Sequence, residues 1–194
     1  MYKQMLGGAI MTATEILTEE HKAIKIMLDI VEEACKRLES GSKVDVEHLK
    51  LMVDFIKGFA DKCHHAKEED ILFPTMQKAG IPGQGGPIGV MLTEHTYGRE
   101  YVKGMAQAIE KYEKGNIKTS SEIIKNARGY IELLSQHIDK EDNILYPMAD
   151  RIFQEKTQKE LLKEFNRVET EEIGEGVHEK YHEILHHLHD IYLK

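Results

Sequence analysis

The sequence is short of the features that most often announce a compartment or a partner. Only two cysteines occur in 194 residues, Cys35 and Cys63. That excludes a disulfide framework and makes reducing cytoplasm the expected compartment. No apolar run approaches the roughly 18 residues needed to span a bilayer, so no membrane partner is expected. Basic residues are outnumbered: 26 Lys and Arg face 34 Asp and Glu, for a net charge of −8. A nucleic-acid binder carries the opposite balance, and that partner class is set aside. The opening MYKQMLGGAIMTATE has one lysine and no sustained apolar stretch, a poor match to a signal peptide. Residues 1–12 read as an N-terminal extension, with Met11 an equally good start. Tryptophan is absent, and prolines number only four, so long stretches run without a helix breaker.

Against those absences stand eleven histidines, and their placement is periodic. A first helix is expected from about Thr12–Thr14 to Ser40, with the apolar stripe Leu17, His21, Ile24, Leu28, Val31, Cys35 and Leu38. A second begins near Val46 and carries Val53, Ile56, Ala60, His64, Glu68 and Ile71 on one face. The same spacing puts His65 over Asp54, Gly58 and Asp61, a polar face, so His64 is the expected inward residue. Pro74 should bend or end this helix. A third helix spans about Ile88 to Glu113 with His95 inside its stripe. The fourth runs from near Thr119 past Tyr146, with Ile124, Ala127, Ile131 and Leu134 leading to His137 and Glu141. Short or glycine-rich joints connect the four. That is the pattern of an all-α, antiparallel up-down-up-down four-helix bundle over residues 13–154. Residues 155–194 add two amphipathic helices, read as a C-terminal helical hairpin packed on the bundle.

The chain also repeats itself. CHHAKEEDILFP (Cys63 to Pro74) and QHIDKEDNILYP (Gln136 to Pro147) share His-x-x-x-Glu, an acid, and Ile-Leu-aromatic-Pro. LTEEH ends at His21 and LTEH at His95, and each lone histidine precedes its His-x-x-x-Glu copy by 43 or 42 residues. Two helix hairpins related by a pseudo-twofold axis bring four histidines and two glutamates to one level of the core. Buried carboxylates at Glu68 and Glu141 need cations. No Lys or Arg shares their stripes at that level, and imidazole with carboxylate suits iron, manganese or zinc. The count suggests two ions, with both glutamates able to bridge and an oxo or hydroxo group between them. Each ion is then left about five-coordinate, with room for a diatomic molecule or peroxide.

HHAKEEDILFP, GGPIGVMLTEH and HIDKEDNILYP together resemble the hemerythrin-like HHE cation-binding family, over roughly Ile16 to Arg151. The resemblance implies a four-helix bundle around a non-haem di-iron centre, with His21, His64, Glu68, His95, His137 and Glu141 as the metal ligands. Oxygen-carrying hemerythrins place a fifth histidine four residues after the position matching His95, and here that residue is Arg99. The departure points to the subgroup with four histidines and two glutamates, implicated in repair of iron–sulfur clusters after nitric oxide or oxidative stress. That subgroup often carries an N-terminal Cys-containing domain, which this sequence does not show. The function expected is binding or processing of O2, peroxide or NO, with a redox partner still to be identified. The alternatives are a non-catalytic iron or oxygen sensor, an iron store, and a structural zinc bundle. His65, Glu69, Asp70 and Asp142 read as solvated or as lying just outside the ligands, the three acids being candidates for orienting ligand imidazoles, and Tyr130 reads as a core residue near the metals. Arg99 either grips an acid on a neighbouring helix or steers anions. The terminal His178, His182 and His186, spaced by four, read as surface histidines rather than a second metal site.

Overall fold

The structure is a computed structural model that describes residues 5–6, 9–174 and 176–194. Part of the N-terminal extension lies outside them. Its described part is a two-residue antiparallel pair, β1 (Met5–Leu6) and β2 (Ala9–Ile10). Every other element among the described residues is helical.

The first rod is α1 (Ala13–Glu39). Its start is fixed by a capping box. The Thr12 hydroxyl accepts from the Glu15 amide, and the Glu15 carboxylate accepts from the Thr12 amide at 2.7 Å. Gly41, at φ +76°, takes the left-handed turn that ends it. The second rod covers residues 46–78. It begins as α2 (Val46–Phe55), capped by Asp45, widens into π-helical stretches at Ile56–His65 and Lys67–Leu72, and closes as α3 (Phe73–Lys78). Pro74 therefore does not end the helix. It sits in the first turn of a new α-helical segment, where its missing N–H is tolerated after the wider turns. The third rod is α4 (Pro87–Glu113), opened by Pro87 at its first position. The fourth covers residues 120–152: α5 (Ser120–Lys140), a π-helical turn (Glu141–Leu145) and α6 (Tyr146–Ile152). Here too the π turn lies just ahead of a proline, Pro147.

The four rods form the expected helical bundle. Its apolar interior falls into two clusters. One, at the end holding both the Glu39–Val46 and α4–α5 connections, gathers Ile30, Met52, Phe55 and Met105. The other gathers Leu17, Leu72, Ile88 and Leu145. His21, His64, Glu68, His95 and Glu141 lie in sequence between the two clusters, with His137 at the edge of the first, so a polar layer divides the core. Within α5 the buried positions are Ile123, Ala127, Tyr130 and Leu134, rather than Ile124 and Ile131, which are half-buried.

The C-terminal segment comprises α7 (Glu155–Arg167), a π-helical stretch (Val168–Gly174) and α8 (Val177–Tyr192). Leu161 and Phe165 of α7 pack into the second cluster, and Tyr181, Leu185 and Leu188 of α8 into the first. The joint between them therefore passes the polar layer. Among the described residues no helix is long and apolar enough to cross a membrane.

Candidate metal centre

The polar layer holds His21, His64, Glu68, His95, His137 and Glu141, each at most 1% exposed. They fall into two sets of potential ligand atoms. His21, His64 and Glu141 form one; Glu68, His95 and His137 form the other, joined by His65. His65 is a correction to the sequence reading. It is 5% exposed and stacks on His95 with ring centroids 3.8 Å apart. The polar-face argument assumed a spacing of four per turn. In the π-helical stretch the bonds run i→i+5, the turn is wider, and two adjacent histidines both face inward.

Each imidazole is gripped from outside by a carboxylate at Nδ1. Asp142 holds His21 at 2.7 Å, Glu20 holds His64 at 2.9 Å, Glu69 holds His95 at 2.7 Å and Glu94 holds His137 at 2.9 Å. The carboxylates are in turn held by cations: Lys25 on Asp142, Lys67 on Glu20, Arg99 on Glu69 and Lys140 on Glu94. The sequence repeat maps these groups onto one another. Glu20 and Glu94 each precede a lone histidine, Glu69 matches Asp142, Lys67 matches Lys140, and Lys25 matches Arg99. The pseudo-twofold symmetry thus extends through two layers beyond the ring nitrogens. Arg99 grips two acids, Asp61 and Glu69, which is the first of its two expected roles.

With Nδ1–H donated outward, neutral imidazoles turn the Nε2 lone pair inward. His95 and His137 bring their Nε2 atoms within 3.0 Å of each other. His21 Nε2 and His137 Nε2 stand 3.3 and 3.1 Å from Glu141 oxygens, yet neither approach is aligned as a hydrogen bond. Glu68 Oε2 and both Glu141 oxygens are buried without a hydrogen-bond partner. Lone pairs and orphaned carboxylate oxygens that converge on one space require a cation between them. The nitrogen and oxygen donor set suits iron.

The electrostatics of the cluster point the same way. Burial and the neighbouring Glu141 push the Glu68 carboxyl well above the usual range. Glu141 lies well below it, because His137 and His21 outweigh the burial that would raise it. Burial would depress His137, but Glu141 and Glu94 raise it to about 9. His64 is driven down to about 4, chiefly by burial.

Beside Glu20 and Glu94, two more groups escaped the sequence argument. Tyr146, the aromatic of the second ILYP, donates its hydroxyl to Glu68 Oε1 at 2.6 Å and stacks on His21. Its counterpart in the first copy is Phe73, stacked on His95. The phenylalanine-to-tyrosine difference between copies was the available signal. Lys67, wholly buried, bridges Glu20 and Glu169, the latter at 2.5 Å. Tyr130 is buried in the core beside Gly98. It lines a cavity of about 460 Å³ with Asp61, His65 and Arg99. In α8, His178 and His182 lie against Phe59, and no metal-suited cluster among the described residues includes them.

A helical bundle with a buried layer of imidazoles and carboxylates in two sets is suited to a di-iron centre. The chain belongs to the Hemerythrin HHE cation binding domain family, whose model matches residues 12–149. It is 23% identical over 165 residues to uncharacterized protein Mb2018 of Mycobacterium bovis, covering 85% of this chain and 64% of that one. Uncharacterized protein Rv1995 of Mycobacterium tuberculosis matches to the same extent. Iron-sulfur cluster repair protein YtfE of Yersinia pseudotuberculosis is 37% identical over 91 residues, 45% of this chain and 41% of that protein. The chain thus spans less than two-thirds of the length of these relatives. No solved structure matches it.

Proposed function

We propose that the protein is a non-haem di-iron protein of the cytoplasm that binds or processes O2, peroxide or NO. His21, His64, His95 and His137 would hold the irons as imidazole ligands, and Glu68 and Glu141 as carboxylate ligands. The observation that carries this reading is the set of partnerless buried oxygens on Glu68 and Glu141 in the midst of inward-facing imidazoles. An iron pair supplies redox chemistry toward O2, peroxide or NO that no side chain of the cluster offers. The chain's own residues do the rest. The outer carboxylates fix each imidazole's tautomer and direction. Tyr146 donates its hydroxyl proton to Glu68 Oε1 across 2.6 Å between the oxygens. The two apolar clusters keep bulk water from the layer. The likeness to a Yersinia iron–sulfur cluster repair protein supports a stress-related role, with an electron donor as partner.

One observation favours a second reading, a sensor or iron store. Lys67 ties Glu20, which grips His64, to Glu169 of the C-terminal segment. On that reading residues 13–154 are the di-iron domain and residues 155–194 report its occupancy. Iron-loaded protein should contain two irons per chain, with an oxo-bridge absorption band, and should consume peroxide or NO. A protein that takes up zinc and refuses iron overturns both readings. Iron uptake without consumption, together with a metal-dependent shift of the last helices, selects the sensor.

A further inference from the structure

We infer that His65 is a fifth imidazole ligand of the centre, completing the half built by Glu68, His95 and His137. The inference rests on the di-iron reading and adds to it a ligand that breaks the symmetry.

Position comes first. His65 offers a ring nitrogen within 4.8 Å of the ligand atoms of Glu68, His95 and His137. Its ring lies nearly parallel to that of His95, at 16°, so the two imidazoles enter the layer side by side. The outer contact is of the same kind as those of the other four, though longer and made within one rod. Asp61 holds His65 Nδ1 at 3.3 Å, as Asp142, Glu20, Glu69 and Glu94 hold theirs. That leaves Nε2 as the nitrogen able to take a metal. Asp61 is itself fixed by the Arg99 guanidinium, whose NH2 group reaches Asp61 and Glu69 at 2.7 Å each. One arginine therefore braces the carboxylates behind both His65 and His95.

A histidine present only to fill space needs none of this. The repeat supplies the internal comparison. His65 matches Ile138 and Asp61 matches Leu134, both buried and apolar. Where only packing is required, this fold uses hydrocarbon. Where His65 stands, it uses an imidazole with a dedicated acid and a shared arginine. The two metal positions are consequently unequal, one facing two histidines and the other three. The imidazole missing at residue 99 is supplied from the second rod, with Arg99 as part of its support.

The test loads the full chain with 57Fe and records Mössbauer spectra of wild type and His65→Gln, with iron affinity measured by chelator competition. The wild type should give two doublets of equal area and different quadrupole splitting. In His65→Gln the splittings should converge, and affinity for one of the two irons should fall more than about 10-fold. Should that variant not fold, Asp61→Asn keeps the ring and removes its support. It should weaken one iron by about 10- to 100-fold. Identical splittings in the wild type overturn the inference while leaving the di-iron reading intact. So do variant spectra that match the wild type, whatever the affinity does. A wild type that takes up no iron overturns both.

Discussion

Glu20 shows how much a single carboxylate carries. It is wholly buried, accepts from His64 at 2.9 Å and pairs with Lys67. Burial alone would raise its pKa, but Lys67 and His64 together hold it at about 2, against an ordinary 4.5. A depressed carboxyl binds its proton more readily in the unfolded chain. Stability from this group is therefore present above pH 4.5 and lost as pH falls toward 2. The shift corresponds to about 3 kcal/mol. In urea unfolding of the metal-free protein, wild type should exceed Glu20→Gln by a constant margin above pH 4.5, narrowing as pH falls toward 2. A margin independent of pH would mean that Glu20 is not ionised in the folded state. Glu20 was visible in the sequence as half of LTEEH, but its role was not. That role depends on Lys67, which lies next to Glu68 in sequence and faces a different helix. The six candidate ligands were legible because four-residue spacing and an internal repeat marked them independently. Of the acids that hold them, Glu69 and Asp142 were legible beside the repeated motif, whereas Glu20 and Glu94 were not, because nothing in the sequence says which rod such a contact crosses to.

At the scale of elements, the π-helical stretches decide what periodicity can reveal. Over α1 and α4 the bonds run i→i+4, and the expected stripes and bounds hold to within a residue or two. Over residues 56–72 they do not, and His65, Lys67 and the continuation through Pro74 all fell outside a stripe drawn at constant pitch. The same stretch receives α8. Gly58 lies under Tyr181, and a Cβ built at Gly58 would meet the Tyr181 hydroxyl oxygen at 1.7 Å and Cζ at 2.1 Å. The whole buried ring would have to move, since Tyr181 also packs edge-on against Phe55. Gly58→Ala should cost about 1–3 kcal/mol, the usual range for overpacking. Adding Tyr181→Leu should recover part of that loss, because the obstruction is then gone. A double variant no more stable than the sum of its single changes would show that α8 does not rest on Gly58.

Across the whole molecule, the charged layer between two apolar clusters is also where the C-terminal segment is attached. Lys67 is wholly buried and relies on two carboxylates, one from α1 and one from beyond α7. Removing the ammonium with Lys67→Met strands Glu20 in the core, and breaking such a buried pair costs about 3–5 kcal/mol. Removing only the outer partner with Glu169→Gln leaves Lys67 paired to Glu20 and spares the core. The two variants therefore separate attachment from core stability. Amide hydrogen exchange should speed up over Val168–Gly174 in both, because in both the tie to the bundle is cut. In α1 and α5 it should speed up only in Lys67→Met. If Glu169→Gln leaves exchange over Val168–Gly174 as slow as in the wild type, the apolar contacts of Phe165 and Val168 hold the segment unaided. The lysine would then carry no signal from His64 to the C-terminal helices, and the sensor reading would lose the one observation in its favour.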